Sequence, residues 1–218
     1  LIREKIANMV VHSTAVESVV YRTAGELGDA FNRPYDNLAK LIANFALHCS
    51  INKVLATEAV DQIVDEALQI HGGYGYMREY EIETLYRDVR INRIFEGTNE
   101  INRILIASTL MKEYEAQVEE GIQTSPYTVE YEKLSLVRRL LQVFIESARN
   151  NGQTNLNIEQ ELAALIADTV ISIYAMDSMI VRLEKLKDKG NHLVMEHATK
   201  SYIQETGQAL SLSAINMM

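Results

Sequence analysis

Residues 69–107 read QIHGGYGYMREYEIETLYRDVRINRIFEGTNEINRILIA, and their pattern decides the fold class. Gly72, Gly73 and Gly75 stop an apolar stripe that runs back through Leu68, Ala67, Ile63, Ala59, Leu55, Val54, Phe45, Ile42, Leu41 and Leu38. Three- and four-residue spacing of this kind predicts one long helix from Leu38 to the glycines. Residues 79–92 place charged and apolar side chains at helical spacing and predict a short helix. Glu96, Gly97 and Thr98 separate it from a further helix over 99–115. Thr98 is suited to cap that helix, because its hydroxyl can accept from a first-turn amide that has no partner within the helix. Glu100 in the first turn complements the positive end of the helix dipole.

Outward from this stretch the pattern stays helical. Leu1, Ile6, Met9, Val10, Val16, Val19 and Val20 predict a helix over 1–28 that ends in a loop around Gly28 to Pro34. The chain has two prolines, Pro34 and Pro126, and both fall where the apolar period lapses. Periodicity is lost over 116–124, and Ser125 with Pro126 reads as an N-cap followed by proline at the first helical position. Three helices are expected beyond it, over 126–150, over 158–189 with Asn157 as cap, and over 192–214. The polar segments 150–157 and 187–191 form the turns. No segment alternates as a strand would. The expected fold is all-α, two helical bundles in series: 1–115, a linker over 116–125, and an additional helical domain over 126–218. The sequence starts at Leu1 within an amphipathic pattern, so a fragment of something longer is expected.

Composition narrows the function. With 218 residues the chain can bury a core without staples, and a net charge of −9 with no basic block argues against a nucleic-acid partner. The single cysteine, Cys49, cannot form an internal disulfide, which fits a reduced, cytoplasmic setting. Uninterrupted apolar runs such as Leu162 to Ala167 fall far short of the roughly 18 to 20 residues that span a bilayer, so no membrane span is expected.

Two features of the central stretch carry chemistry. The three glycines free the backbone for positive φ and for close approach by a ligand or another chain, although a helix stop and a tight turn would use them equally well. Glu96 lies between Phe95 and Gly97 at a break between helices. A carboxylate held there against an apolar wall is placed to act as a general base, and a solvated loop glutamate is the plainer alternative. His48, His71, His192 and His197 make no metal-ligand pattern, and His192 with Glu196 reads as a surface pair, so no metal is expected. The glycines do not follow a strand, which excludes a Rossmann loop. Arg87 with Asp88, and Arg90 and Arg93, read as members of structural ion pairs. Met9, Met176, Met179 and Met195 read as core fillers.

QIHGGYGY followed by LYRDVRINRIFEGTNEINR closely resembles the C-terminal signature of the acyl-CoA dehydrogenase flavoproteins, and the resemblance runs from Leu1 to Tyr114. From Pro126 onward the chain is similar in position and helical character to the extra C-terminal domain of very-long-chain members. The resemblance implies α,β-dehydrogenation of an acyl-CoA thioester with FAD as cofactor, an electron-transferring flavoprotein as electron acceptor, and a homo-oligomer, dimer or tetramer. It gives Glu96 the role of catalytic base, which takes the α-proton, and it makes Gly97 a substrate-contacting position. Thr98, Asn99 and Glu100 become the flavin-contacting start of a helix, whose N-terminus favours anionic groups. Gln69, Ile70, His71, Gly72 and Gly73 become the segment that reaches the adenosine-diphosphate half of FAD across a subunit interface.

The sequence also departs from the family. Ser108 stands where medium-chain members carry an arginine, which together with the C-terminal extension leans toward long-chain substrates. The upstream helical and β domains that supply much of the flavin and acyl pocket are absent from this sequence, so the isolated chain is expected to be inactive. The alternative is a non-catalytic helical assembly module that keeps the Glu96 loop idle.

Overall fold

The computed structural model describes residues 1–113, 125–153, 155–187, 190 and 192–217, and among them every regular element is helical. The helices are α1 (Ile2–Phe31), α2 (Leu38–Ala43), α3 (Ala46–His71), α4 (Glu81–Val89), α5 (Asn99–Glu113), α6 (Thr128–Asn150), α7 (Gln160–Lys185) and α8 (His192–Met217). Short 3-10 turns cover Gly72–Tyr76 and Arg90–Arg93. The chain divides into two compact units, Leu1–Asn102 and Arg103–Met218. The linker expected over 116–125 lies almost wholly outside the described residues.

In the first unit α1 lies antiparallel to α3. Lys5 near the start of α1 pairs with Glu66 near the end of α3, and the Asn52 carboxamide near the start of α3 donates to Thr23 Oγ1 at 2.8 Å. Between these ends the apolar stripes meet: Val11, Ala15 and Val19 of α1 and Ile51, Val54, Ala59 and Val64 of α3 are buried. The small residues Ala15 and Ser18 let the helices approach closely, and the Ser18 hydroxyl is satisfied by the Thr14 carbonyl at 2.7 Å. α4 packs Ile82 inward, and Arg93 reaches Asp61 of α3 at 2.9 Å.

The single helix expected from Leu38 to the glycines is interrupted. α2 starts at Asn37, whose side chain caps Lys40 N at 3.1 Å, and it stops at Asn44 and Phe45. There Phe45 N turns back to Ile42 O, and the Phe45 ring lies 5.9 Å from that of His48. Apolar period continues through this break, so the pattern alone could not show it. Other readings also change. α6 starts at Thr128, behind Tyr127 rather than with Pro126 in its first turn, although Ser125 Oγ accepts from Tyr127 N at 3.2 Å. α1 extends beyond residue 28 to Phe31. Arg87 pairs with Glu83, one turn back at 3.0 Å, rather than chiefly with its neighbour Asp88, because residues four apart share a helix face. α7 starts at Gln160, and its expected cap Asn157 makes no capping bond; the Asn155 carboxamide accepts from Asn157 N at 3.3 Å instead.

The second unit is a bundle of α6, α7 and α8 around α7. α7 is buried on nearly every side, with Ile166, Met176, Met179, Ile180 and Leu183 fully enclosed. Its hydroxyls are satisfied within the helix: Thr169 donates to Leu165 O at 2.7 Å and Ser178 to Tyr174 O at 2.6 Å. By length and a mean hydropathy of 1.6 over its most apolar window α7 is apolar enough to cross a membrane, a feature that short-run inspection of the sequence passes over. Its surroundings make it the core helix of the bundle instead. Met176, Met179 and Met195 are core fillers as expected, whereas Met9 is only half-buried.

Candidate active site

Glu96 stands in a strained turn between the Arg90–Arg93 turn and α5. Its φ is +55°, in the left-handed region where a side chain other than Asn or Gly is uncommon, and Gly97 follows at φ +82°. An L-residue in this region costs roughly 1–2 kcal/mol, so the surrounding structure must impose it. The imposing contacts are specific. The Gly97 carbonyl accepts from Lys53 Nζ at 2.8 Å and from Asn102 Nδ2 at 3.0 Å. Thr98 Oγ1 accepts from Ile101 N at 3.3 Å, which is the cap expected from the sequence.

Asn99 lies at the centre of the arrangement, 1% exposed. Its Oδ1 accepts from Lys53 Nζ at 2.6 Å, and its Nδ2 donates to Thr57 Oγ1 at 3.0 Å and to Glu58 Oε1 at 3.1 Å. The side-chain amide is therefore spent inside the chain, and Asn99 ties the start of α5 to α3. Burial lowers the Lys53 ammonium from the usual lysine range, while the nearby carboxylates of Glu100, Glu58 and Glu96 pull it back.

Glu96 itself is exposed, and Phe95 beside it is 48% exposed, so the first unit leaves open the apolar wall that the sequence led us to expect around the carboxylate. Glu100 is likewise exposed. Gly97 supplies a positive φ, and an added Cβ would also lie 3.2 Å from the Asn102 amide nitrogen that holds its carbonyl and 3.9 Å from Ile101 Cγ2.

The glycine segment is a separate place. Gln69, His71, Gly72 and Gly73 are exposed and Ile70 is half-buried. Gly72 turns the chain at φ 59° and ψ −142°, a conformation open essentially to glycine alone, and a Cβ built on Gly72 or Gly73 would meet open space. Gly75 is different: a Cβ there would lie 2.6 Å from Leu68 O. Lys53 and Gln69 share α3 and stand sixteen residues apart, which at 1.5 Å per residue is about 24 Å along its axis. One chain thus presents the Glu96 turn and the glycine turn as two sites rather than one pocket.

Lys53, Thr57, Glu58 and Asn102 were not singled out by their sequence. A signal was present: Lys53, Thr57 and Asp61 are four apart along α3, a polar edge beside the buried stripe of Ile51 and Val54, and this edge meets residues 93–99. Ser108, in the second unit, lines a cavity of about 490 Å3 together with Met111, Lys112, Arg149 and Leu156.

Two family profiles, each described as the acyl-CoA dehydrogenase C-terminal domain, match residues 1–111 and 138–218. The chain belongs to the acyl-CoA dehydrogenase family. A probable acyl-CoA dehydrogenase of Bacillus subtilis is 40% identical over 85% of this chain and 35% of its own length. The human mitochondrial very long-chain specific acyl-CoA dehydrogenase is 37% identical over 49% of this chain and 15% of its own length. A crystal structure of an acyl-CoA dehydrogenase from Bacillus anthracis complexed with FAD superimposes with a TM-score of 0.85 at 38% identity, over 97% of this chain and 39% of that one. The chain therefore spans little more than a third of the length of relatives that match it throughout. The all-α fold expected from the sequence is that of an acyl-CoA dehydrogenase C-terminal region.

Proposed function

We propose that this chain is the C-terminal part of an FAD-dependent acyl-CoA dehydrogenase, in which Glu96 is the general base that takes the α-proton of an acyl-CoA thioester. The observation that carries the reading is the backbone of Glu96. A glutamate held at φ +55° by two donors on the next carbonyl is a placed carboxylate, and strain of this kind collects at functional sites. Its exposure fits a site whose remaining walls come from outside the first unit. The division expected from the sequence, 1–115 and 126–218 joined by 116–125, is in keeping with profile matches that end at 111 and begin at 138, while the compact units divide earlier, between Asn102 and Arg103.

The residues present fit the cofactor. The open space over Gly72 and Gly73 lets a flat ligand approach the backbone closely, with Gln69, Ile70 and His71 beside it. Thr98 and the first amides of α5 form a helix N-terminus suited to a polar or anionic group. Asn99 serves that end by positioning it, and Glu100, an anion, suits a hydroxyl of the cofactor better than its phosphates. FAD, when bound, supplies the acceptor for the β-hydrogen, leaving as hydride. In this reading Gly97, without a side chain, leaves room for the thioester beside the base, and the backbone amide of Glu96 is the donor to the thioester carbonyl as negative charge develops. The glycine turn lies about 24 Å along α3 from Lys53, a separation that is consistent with the family reading in which the glycine segment serves a flavin held across a subunit interface of a homo-oligomer, dimer or tetramer. The electron-transferring flavoprotein and a cytoplasmic location follow from the family resemblance and the cysteine usage.

The reading toward a long-chain substrate rests on Ser108, which stands where medium-chain members of the family carry an arginine, and on the resemblance of the C-terminal extension to that of very-long-chain members. The decisive test is Glu96→Gln in the full-length flavoprotein. Turnover is expected to fall by about a hundred- to ten-thousandfold with flavin still bound; retained turnover would remove Glu96 from its role.

A second reading, a non-catalytic assembly module, is favoured by the exposure of Tyr74, Tyr76, Ile94, Phe95 and Ile101. It predicts an unchanged rate in Glu96→Gln together with a change in oligomeric state when these residues are made polar.

A further inference from the structure

We propose that Lys53 is the positioning residue of the Glu96 turn, fixing the Gly97 carbonyl and the Asn99 side chain so that the Glu96 carboxylate keeps a single aim. This inference rests on the reading of Glu96 as base and deepens it. Two side chains hold the Gly97 carbonyl, and they differ in kind. Asn102 belongs to the first turns of α5, which begins right after the loop, so its bond moves with the loop. Lys53 comes from α3, 44 residues away in sequence, and ties the loop to the helix that forms the core of the first unit. A bond from an ammonium is also roughly twice as strong as one between neutral groups.

The same ammonium holds Asn99 Oδ1 at 2.6 Å, and the rest of that amide is held by Thr57 and Glu58 of α3. Lys53 therefore fixes both ends of the short link between Glu96 and α5: the carbonyl that follows the glutamate and the first residue of the helix. Without it, Asn99 keeps its bonds to Thr57 and Glu58, but the Gly97 carbonyl keeps only the Asn102 bond from within α5, and the turn can relax toward cheaper backbone states. Lys53 also stands among the carboxylates of Glu58, Glu96 and Glu100. Removing the cation raises the repulsion among these carboxylates, which works against a fixed position of the base.

The test is made in the full-length holoenzyme with Lys53→Met, Lys53→Arg and Glu96→Gln measured side by side, each normalised to bound flavin. Displacing a catalytic group by about 1 Å costs up to about a hundredfold in rate. Lys53→Met is expected to lower kcat by about ten- to a hundredfold, to leave KM within about threefold, and to raise the primary isotope effect of an α-deuterated acyl-CoA. Lys53→Arg, which keeps the charge and two donors, is expected to restore most of the rate. A merely structural lysine would lower flavin content and melting temperature without changing the isotope effect of the enzyme that remains. The proposal is overturned by a kcat per flavin within about twofold of the parent, or by a loss with an unchanged isotope effect that arginine does not repair. If Lys53→Met does not fold, Lys53→Gln, which retains a neutral donor, is judged by the same criteria. Should Glu96→Gln turn over normally, both the base assignment and this inference fall; should it be inactive while Lys53→Met is normal, only the role of Lys53 falls.

Discussion

Gly72, Gly73 and Gly75 look alike in the sequence, and the structure gives each a different reason. Gly72 supplies a backbone conformation that side chains avoid, Gly75 makes room for the Leu68 carbonyl, and Gly73 has open space beside it. A Gly75→Ala substitution is therefore expected to destabilise the first unit by about 1–3 kcal/mol, the usual cost of forcing atoms into a filled site. Gly73→Ala should stay within about 0.5 kcal/mol in stability. Urea denaturation of the two variants checks the contrast, and equal losses would mean that the close contact at Gly75 is relieved cheaply. Gly73→Ala is then free to report on the cofactor: a loss of flavin affinity without a loss of stability would place FAD over that residue.

At the scale of elements, the buried phenol of Tyr202 on α8 shows how the second bundle responds to pH. Burial raises it to about 12. Tyr131 on α6 is also pushed up to about 12, first by burial and then by the charges of Glu184 and Asp177 on α7. A phenol whose ionisation is disfavoured in the folded state stabilises the fold fully below pH 10, the ordinary tyrosine value. That contribution is lost as pH rises from about 10 to about 12, because the unfolded chain gives up its protons first. For Tyr202 the loss is about 3 kcal/mol, two tenfold displacements of an ionisation equilibrium at about 1.4 kcal/mol each. Denaturation midpoints measured from pH 9 to 12 should fall in the parent and fall less in Tyr202→Phe. A flat profile in the parent would show that the bundle opens locally around this phenol before it ionises. Element boundaries were read well where a cap or a glycine marks them, as at Thr98 and Gly72. They were missed where the chain bends without interrupting its apolar period, as at Asn44 and Phe45.

At the scale of the whole molecule, the proposed function requires surfaces from outside the first unit to complete the Glu96 turn and the glycine turn, and Tyr74, Tyr76 at 89% and Phe95 are exposed beside them. The chain alone is therefore expected to fold as helix, to self-associate, and to lose FAD on a desalting column, leaving no visible flavin band. A retained flavin band would mean that these helices build a cofactor site by themselves, and bleaching by an acyl-CoA would then show that the base works there without the upstream domains.

By itself the sequence determined the helical class, the stop at the glycines, the cap at Thr98 and the family, through FEGT and QIHGG. These depend on local chemistry: a period of three and four, a hydroxyl next to a first turn, a motif whose spacing is preserved along the chain. Only the tertiary structure decided that Glu96 is held at positive φ, that Asn99 is buried and spent, and that Lys53 stands between them. Those facts arise where residue 53 of α3 meets residues 97 and 99 at the turn into α5, a contact of which the chain order carries only the polar edge at Lys53, Thr57 and Asp61. The contact is set by how α1, α3 and α4 bury their stripes against one another, and the polar edge of α3 is carried to the turn by that packing.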